Sequence, residues 1–193
     1  MKEDAKNRIL EIGAEIIHLK GFNHTGIQEI LNAAGVPKGS FYNYFKNKED
    51  FGLQVIDHFV SHFEILAGSI LKDVSLSPLT RIRGILEGFI DFYRSKDFAY
   101  GCPIGNLSQE MGDLSPAFQE KLKGAMDSMV EIYARLVEEA QRAGEVSPLL
   151  DVKEAAHFLV SSWHGALIHM KIEKGPQPLE NHITFIFKYV LKP

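Results

Sequence analysis

Cysteine is almost absent from this chain of 193 residues; Cys102 is the only one. A single thiol excludes an internal disulfide framework and fits a reducing compartment. Long apolar runs are absent too. No stretch of about 18 consecutive apolar residues occurs, which excludes a membrane-spanning helix. The opening MKEDAKNRIL is charged and predicts no signal peptide. A cytoplasmic protein is therefore expected, and the glycosylation-like triplets at Asn23 and Asn106 carry no meaning without a secretory signal. Alternating apolar and polar stretches are scarce, so few strands are expected. There is no Gly-rich phosphate loop, nucleophile elbow, HExxH or clustered acid–base pair. Catalysis is not expected and no cofactor is implied.

What is present is an ordinary globular composition, with 45% hydrophobic, 10% aromatic and 24% charged residues. The net charge is −4. Residues 1–50 balance at seven bases and seven acids, so the remainder carries the whole deficit. The first segment tolerates a polyanion and the rest does not invite one.

Apolar residues recur at helical spacing nearly throughout. A first helix is expected over 4–19, with Ile9, Ile12, Ile16 and Leu19 as its buried stripe beside Ala5 and Gly13, ended by Gly21. Thr25 and Gln28 have capping-box spacing for a second helix over 26–33, which would bury Ile27, Ile30 and Leu31. A short third helix starts at Pro37, a residue suited to a first turn, and ends near Phe45. Further helices are expected over 48–71, 79–95, 105–112, 116–143, 152–174 and 179–191. No repeat or low-complexity linker separates them. The expected division is a small head of residues 1–46 and an all-helical remainder of 47–193.

The run VPKGSFYNYFKNK, residues 36–48, holds three lysines, two tyrosines, two asparagines and no acid. On a helical wheel Phe41 and Phe45 share one face and must pack inward. Lys38, Gly39, Tyr42 and Asn43 then face outward, with Ser40 and Tyr44 on the flanks. Asn can read an adenine edge, and Ser, Tyr and Lys can bind phosphate oxygens. Lys48 sits at the next helix start, where backbone N–H groups also attract a phosphate. Two outward tyrosines beside inward phenylalanines suggest a surface built for a partner. The alternative is a solvated lysine-rich turn, or a helix-turn-helix used for protein contacts in an all-helical ligand carrier or enzyme.

Residues 9–53 resemble the N-terminal domain of the TetR family of transcriptional regulators. The resemblance is carried by Gly21-Phe22, Thr25, Ile27, Ile30, Ala33-Ala34-Gly35-Val36, Lys38-Gly39-Ser40, Phe41-Tyr42, Phe45 and Lys46-Asn47-Lys48-Glu49. Pro37 stands where Ser or Thr is more usual. The resemblance implies an all-α homodimer, each subunit offering one recognition helix to a half-site of a palindromic double-stranded DNA operator. It also implies repression relieved by a small-molecule inducer. It assigns Thr25, Lys38, Ser40, Tyr42 and Lys48 to phosphates, and Gly39, Asn43 and Tyr44 to base edges.

Beyond about residue 55 the resemblance weakens. An inducer pocket among helices 48–71, 79–95, 116–143 and 152–174 would draw on His58, His62, Phe63, Leu66, Phe89, Phe92, Tyr93, Cys102, Met111, Met126, Met129, Tyr133, Trp163 and Met170. Aromatics and methionines with a few polar tips suit a largely apolar ligand; each could equally be plain core. His58 and His62 are one turn apart, but nothing completes a metal set, and no metal is expected. Cys102 lies just before a helix start, where it is either a small buried hydrophobe or a reactive thiol. The last two helices are the expected dimer surface. Ser161, Ser162, Gly165 and Ala166 would allow close approach, and Ile183, Ile186, Phe187 and Val190 would form an apolar stripe. In this scheme ligand tilts helix 48–71 and moves the recognition helices away from one DNA turn, roughly 34–36 Å.

Overall fold

Helices account for 77% of the chain, and no strand occurs among the described residues. The computed structural model describes residues 2–193, with side chains from Ala5 onward. The elements are α1 (Lys2–Lys20), α2 (Ile27–Ala34), a 3₁₀ helix (Lys38–Asn43), α3 (Lys48–Lys72), α4 (Pro78–Ser95), α5 (Pro103–Met111), α6 (Pro116–Arg142), α7 (Val152–Glu173), α8 (Gln177–Phe185) and a closing π turn (Ile186–Val190). They form two compact units. The first contains the chain up to His62 together with Pro103–Ala125; the second contains Phe63–Cys102 and Met126–Pro193.

In the first unit α1 buries Ile9, Ala14 and Ile17. This corrects the expected stripe: Leu19 is exposed, and Ile12 and Ile16 are half-buried. The buried line runs through residues 9, 13 and 17, because Gly13 lets another ring close in. A Cβ there would lie 2.4 Å from Cζ of Phe51. The capping box at Thr25 does not form either. Gly26 occupies the cap of α2 without a side-chain bond. The Thr25 hydroxyl instead donates to the Gly21 carbonyl at 2.7 Å. A backbone cap closes the other end of α2: Gly35 is left-handed at φ 62°, and the Val36 N–H reaches back to the Leu31 carbonyl at 3.0 Å.

The stretch after Pro37 is a 3₁₀ helix rather than the expected α-helix. Pro37 itself is extended at ψ 144°, and its carbonyl accepts from Ser40 three residues on. Phe41 and Phe45 are fully buried and pack on Phe51, with ring centroids 5.6 and 5.0 Å away. Asn47 opens α3, its side-chain oxygen accepting from the Asp50 N–H, while the Asp50 carboxylate accepts from the Lys46 N–H.

The second unit is built on a core that includes Ile82, Leu86, Val137, Ala156, Leu159, Met170 and Leu179. Ser77 and Asp151 cap α4 and α7 with their side-chain oxygens. Arg81 is buried and paired to Glu139, and it also donates to the Leu71 carbonyl.

Candidate nucleic-acid interface and effector core

The head presents a short displayed surface on a rigid base. Tyr42 is 67% exposed, although its ring touches the buried Phe41 at 5.4 Å. Lys38, Gly39 and Asn43 are exposed beside it; Ser40 and Tyr44 are half-buried. A Cβ at Gly39 would meet nothing within 4 Å, so the backbone there stands open to a large partner. The phenylalanines underneath hold the turn, and the polar tips above are free to reach a groove edge.

Two of the sequence-expected phosphate contacts are differently employed. Thr25 is buried, and both of its donors are spent inside the head, the hydroxyl on Gly21 and the N–H on Phe22. Lys48 is half-buried. Its ammonium donates to the Phe22 carbonyl at 2.7 Å and sits 4.5 Å above the Phe22 ring. Burial lowers its pKa, against the pull of Glu110. Lys48 is thus a clamp on the turn between α1 and α2.

Sequence reasoning missed the other half of this clamp. The Glu110 carboxylate of α5 accepts from the Phe22 and Asn23 N–H groups, both at 2.7 Å. The turn is thus held by its N–H groups from α5 and by its carbonyl from α3. Gly21, at φ +86°, permits the approach: a Cβ there would lie 2.9 Å from the carboxylate. Nothing local could have pointed to Glu110, since its partners lie 87 and 88 residues away.

The sequence-expected effector residues do not all fall together. His58, His62 and Met111 belong to the first unit. The His58 and His62 rings lie 4.5 Å apart, tilted by 46°, and burial, then His62, lowers the pKa of His58. No group of three metal-ligating side chains occurs among the described residues. Met111 is buried under the Asn23 side chain, which donates to its sulfur. Leu66 is 46% exposed on α3 and Met170 is fully buried. Tyr93, Tyr133 and Trp163 are buried in the second core, with Phe63, Phe89, Phe92, Cys102 and Met129 packed against it; Met126 is half-buried. Phe63, Phe89 and Tyr93 stack in sequence at 5.5 and 6.4 Å.

The expected dimer stripe also needs correction. Ile183 and Ile186 are buried within the chain, and Phe187 is half-buried under the Arg83 guanidinium, 4.0 Å away. Val190 packs against the same core. The Ser162 hydroxyl is internal too, 2.8 Å from Nε2 of His182. The exposed apolar line on α7 is Phe158, Ile168 and Ile172, with Ser161 and Gly165 between them at alternating spacings of three and four. Nothing lies within 4 Å of a Cβ placed on Gly165. Ala166 is half-buried beside this line. Phe185 and Tyr189 are about half-exposed with rings 5.0 Å apart.

Burial pushes His182 down to about 4, against the Leu159 backbone carbonyl, which favours the protonated ring. An ordinary value of 6.5 in the unfolded chain means the unfolded state gains a proton first on acidification. Stability should therefore fall between about pH 6.5 and 4 and level off below. The ceiling is about 3 kcal/mol, reduced to roughly 1–2 by solvent screening. Urea unfolding at pH 7.5 and 4.5 checks this: His182→Gln should lose less stability than the wild type, and an equal loss would refute it.

Comparison with known proteins covers most of the chain. Residues 9–55 match the family described as bacterial regulatory proteins, tetR family, and residues 78–186 match the tetracyclin repressor-like C-terminal domain. The chain is 38% identical over 177 residues to the transcriptional regulator AcuR of Cereibacter sphaeroides, covering 92% of this chain and 81% of that protein. It is 33% identical over 186 residues to the HTH-type transcriptional repressor DhaR of Mycobacterium sp., covering 96% and 92%. A crystal structure of a regulatory protein TetR from Rhodobacter sphaeroides superposes with a TM-score of 0.89 at 38% identity, covering 95% and 96%.

Proposed function

The chain belongs to the TetR family of bacterial regulatory proteins, and from that premise we propose a homodimeric repressor released from a palindromic operator by a small molecule. As a member of that family it is a DNA-binding transcriptional regulator and not an enzyme. The observation that carries the finer reading is the displayed 3₁₀ turn, with Lys38, Gly39, Tyr42 and Asn43 exposed above buried Phe41 and Phe45. DhaR is described as a repressor, which supports the same sign of control here. The protein is read as acting in the cytoplasm, where its operator lies.

Two turns related by a two-fold axis read half-sites about one helical repeat apart, roughly 34–36 Å. The axis is supplied by the exposed line of Phe158, Ser161, Gly165, Ile168 and Ile172, with Phe185 and Tyr189. In contact with DNA, Lys38, Ser40 and Tyr42 bind phosphates, and Asn43, flanked by Gly39 and Tyr44, meets base edges. The effector acts on the aromatic core of the second unit. Because α3 contributes Lys48 to the head and continues into the second unit, a small tilt of that helix reaches the clamp on the Phe22–Asn23 turn. A coupling of about 1–3 kcal/mol is enough to shift occupancy.

Selection from a random duplex pool at low salt should enrich one palindrome; recovery of no preferred duplex would sink the reading. On that operator, Lys38→Ala should weaken all sequences alike and lower the salt slope by about 1. Asn43→Ala should relax preference at one base pair, at a cost of about 1–3 kcal/mol. Unchanged salt slope and unchanged selectivity would remove the turn from the interface.

A further inference from the structure

The charges of the first unit are unevenly matched. Several of its acids are spent on internal partners. Glu29 pairs with Lys20, and Asp57 with Lys121. Glu49 accepts from the Ser115 hydroxyl at 2.6 Å, and Asp50 from the Lys46 N–H at 2.9 Å. Glu110 holds the Phe22 and Asn23 N–H groups. Among the cations, Lys20 and Lys121 are taken by those pairs, and the Lys48 ammonium donates to the Phe22 and Asn23 carbonyls. Lys6, Lys38 and Lys46 form no ion pair among the described residues.

Lys38 opens the displayed turn and Lys46 follows it, so the chain order alone puts both at its ends. Lys6 belongs to α1 and reaches the turn only through folding. Its ammonium lies 5.9 Å from the centroid of the Phe45 ring. Phe45 is fully buried beneath the turn, and Tyr44 meets the same ring at 6.3 Å. The Lys6 side chain is half-buried. A cation with no acid to meet it keeps its head in water while its stem lies on apolar surface. Attraction to the ring holds that head near one place instead of leaving it to wander. Covering Phe45 does not by itself call for a charge, since an apolar side chain of similar length would shield the ring as well. The charge is what a polyanion requires.

We infer that Lys6 binds an operator phosphate flanking the bases that the turn meets, and that with Lys38 and Lys46 it forms a cationic rim at the two ends of the turn. The inference rests on the reading above that the turn lies in the groove. It adds α1 to the elements that touch DNA. Contacts of this kind fix register and orientation and carry no sequence information. Each one releases condensed counterions, so its signature is a salt dependence shared by all duplexes.

The test uses the full chain and the selected operator, with affinity read by fluorescence anisotropy between 50 and 200 mM salt. Lys6→Gln should weaken specific and non-specific duplexes alike, by roughly tenfold. It should lower the salt slope by about 0.9 for each phosphate freed. Lys6→Met keeps an apolar stem over Phe45 and should do the same with an unchanged urea midpoint. Lys6→Arg should restore affinity and slope. Lys20→Gln, whose ammonium already belongs to Glu29, should leave the slope as it is. Methylphosphonate substitution, which removes one phosphate charge at a time from the operator, then locates the contact. One flanking position should weaken wild type and make no difference to Lys6→Met. A side chain that only shields Phe45 would show no such coupling. An unchanged slope in Lys6→Met, or a phosphate scan identical to that of wild type, overturns the inference. If Lys38→Ala and Asn43→Ala alter binding and Lys6→Met does not, only the inference falls. If Lys6→Met acts and those two do not, α1 stays on the DNA and the placement of the turn falls instead.

Discussion

Replacing Gly52 by valine should collapse the stability of the DNA-reading unit and, with it, operator binding. Gly52 is buried on α3, and a Cβ there would lie 2.5 Å from Cζ of Phe118 and 2.5 Å from Cε2 of Phe22. Neither ring has room to retreat. Phe118 is fully buried, and Phe22 is held by its backbone to Glu110 and Lys48 while its ring packs on Phe118 at 4.9 Å. Overpacking a filled core costs about 1–3 kcal/mol and sometimes more. Two clashing rings put this site at about 3 kcal/mol or above, a large share of the roughly 5–15 kcal/mol that a domain commands. Gly68→Ala, further along α3 with nothing within 4 Å, is the control and should gain roughly 0.5–1 kcal/mol of helix propensity. Urea midpoints for the two variants should move in opposite directions. A Gly52→Val midpoint equal to that of wild type would disprove the packing argument.

The double substitution Ile168→Glu with Ile172→Glu should convert the dimer to monomer and lower operator affinity at least 100-fold. Both side chains stand half or more exposed on α7, one turn apart on the line that includes Gly165. In a two-fold interface each change occurs twice, so four apolar contacts are lost and four carboxylates face each other without partners. Loss of dimerisation also removes the gain from binding two half-sites as one unit, commonly about 10²–10⁴-fold. Sedimentation equilibrium gives the mass and anisotropy the affinity. Leu149→Glu, at 93% exposure but off the line, should leave both unchanged. A double variant that still sediments as a dimer would move the interface elsewhere.

Much of the head was legible in advance because its signals are local. Phe41 and Phe45 are four residues apart, and α-helical spacing puts them on one side and Tyr42 and Asn43 on the other. That held although the turn is 3₁₀ and not α. The details that failed were those that depended on neighbours. Thr25 has the spacing of a cap, yet its hydroxyl turned to the Gly21 carbonyl because Gly26 took the cap position. No local signal showed that the Lys48 ammonium donates to the Phe22 carbonyl and sits over the Phe22 ring.

By itself the amino-acid order settled the helical class, the location of the helix-turn-helix and the residues on its outer face, because a 3.6-residue period and a glycine turn act over a few residues. Tertiary structure alone decided which apolar faces of the last helices stay outside. Ile183 and Ile186 share an apolar pattern with Phe158, Ile168 and Ile172, and only packing buries the first pair and leaves the other three exposed. It also decided the grip of Glu110 on a turn 87 residues upstream. Periodicity tells a side chain which way to point from its own helix, but not what another part of the chain will bring to meet it.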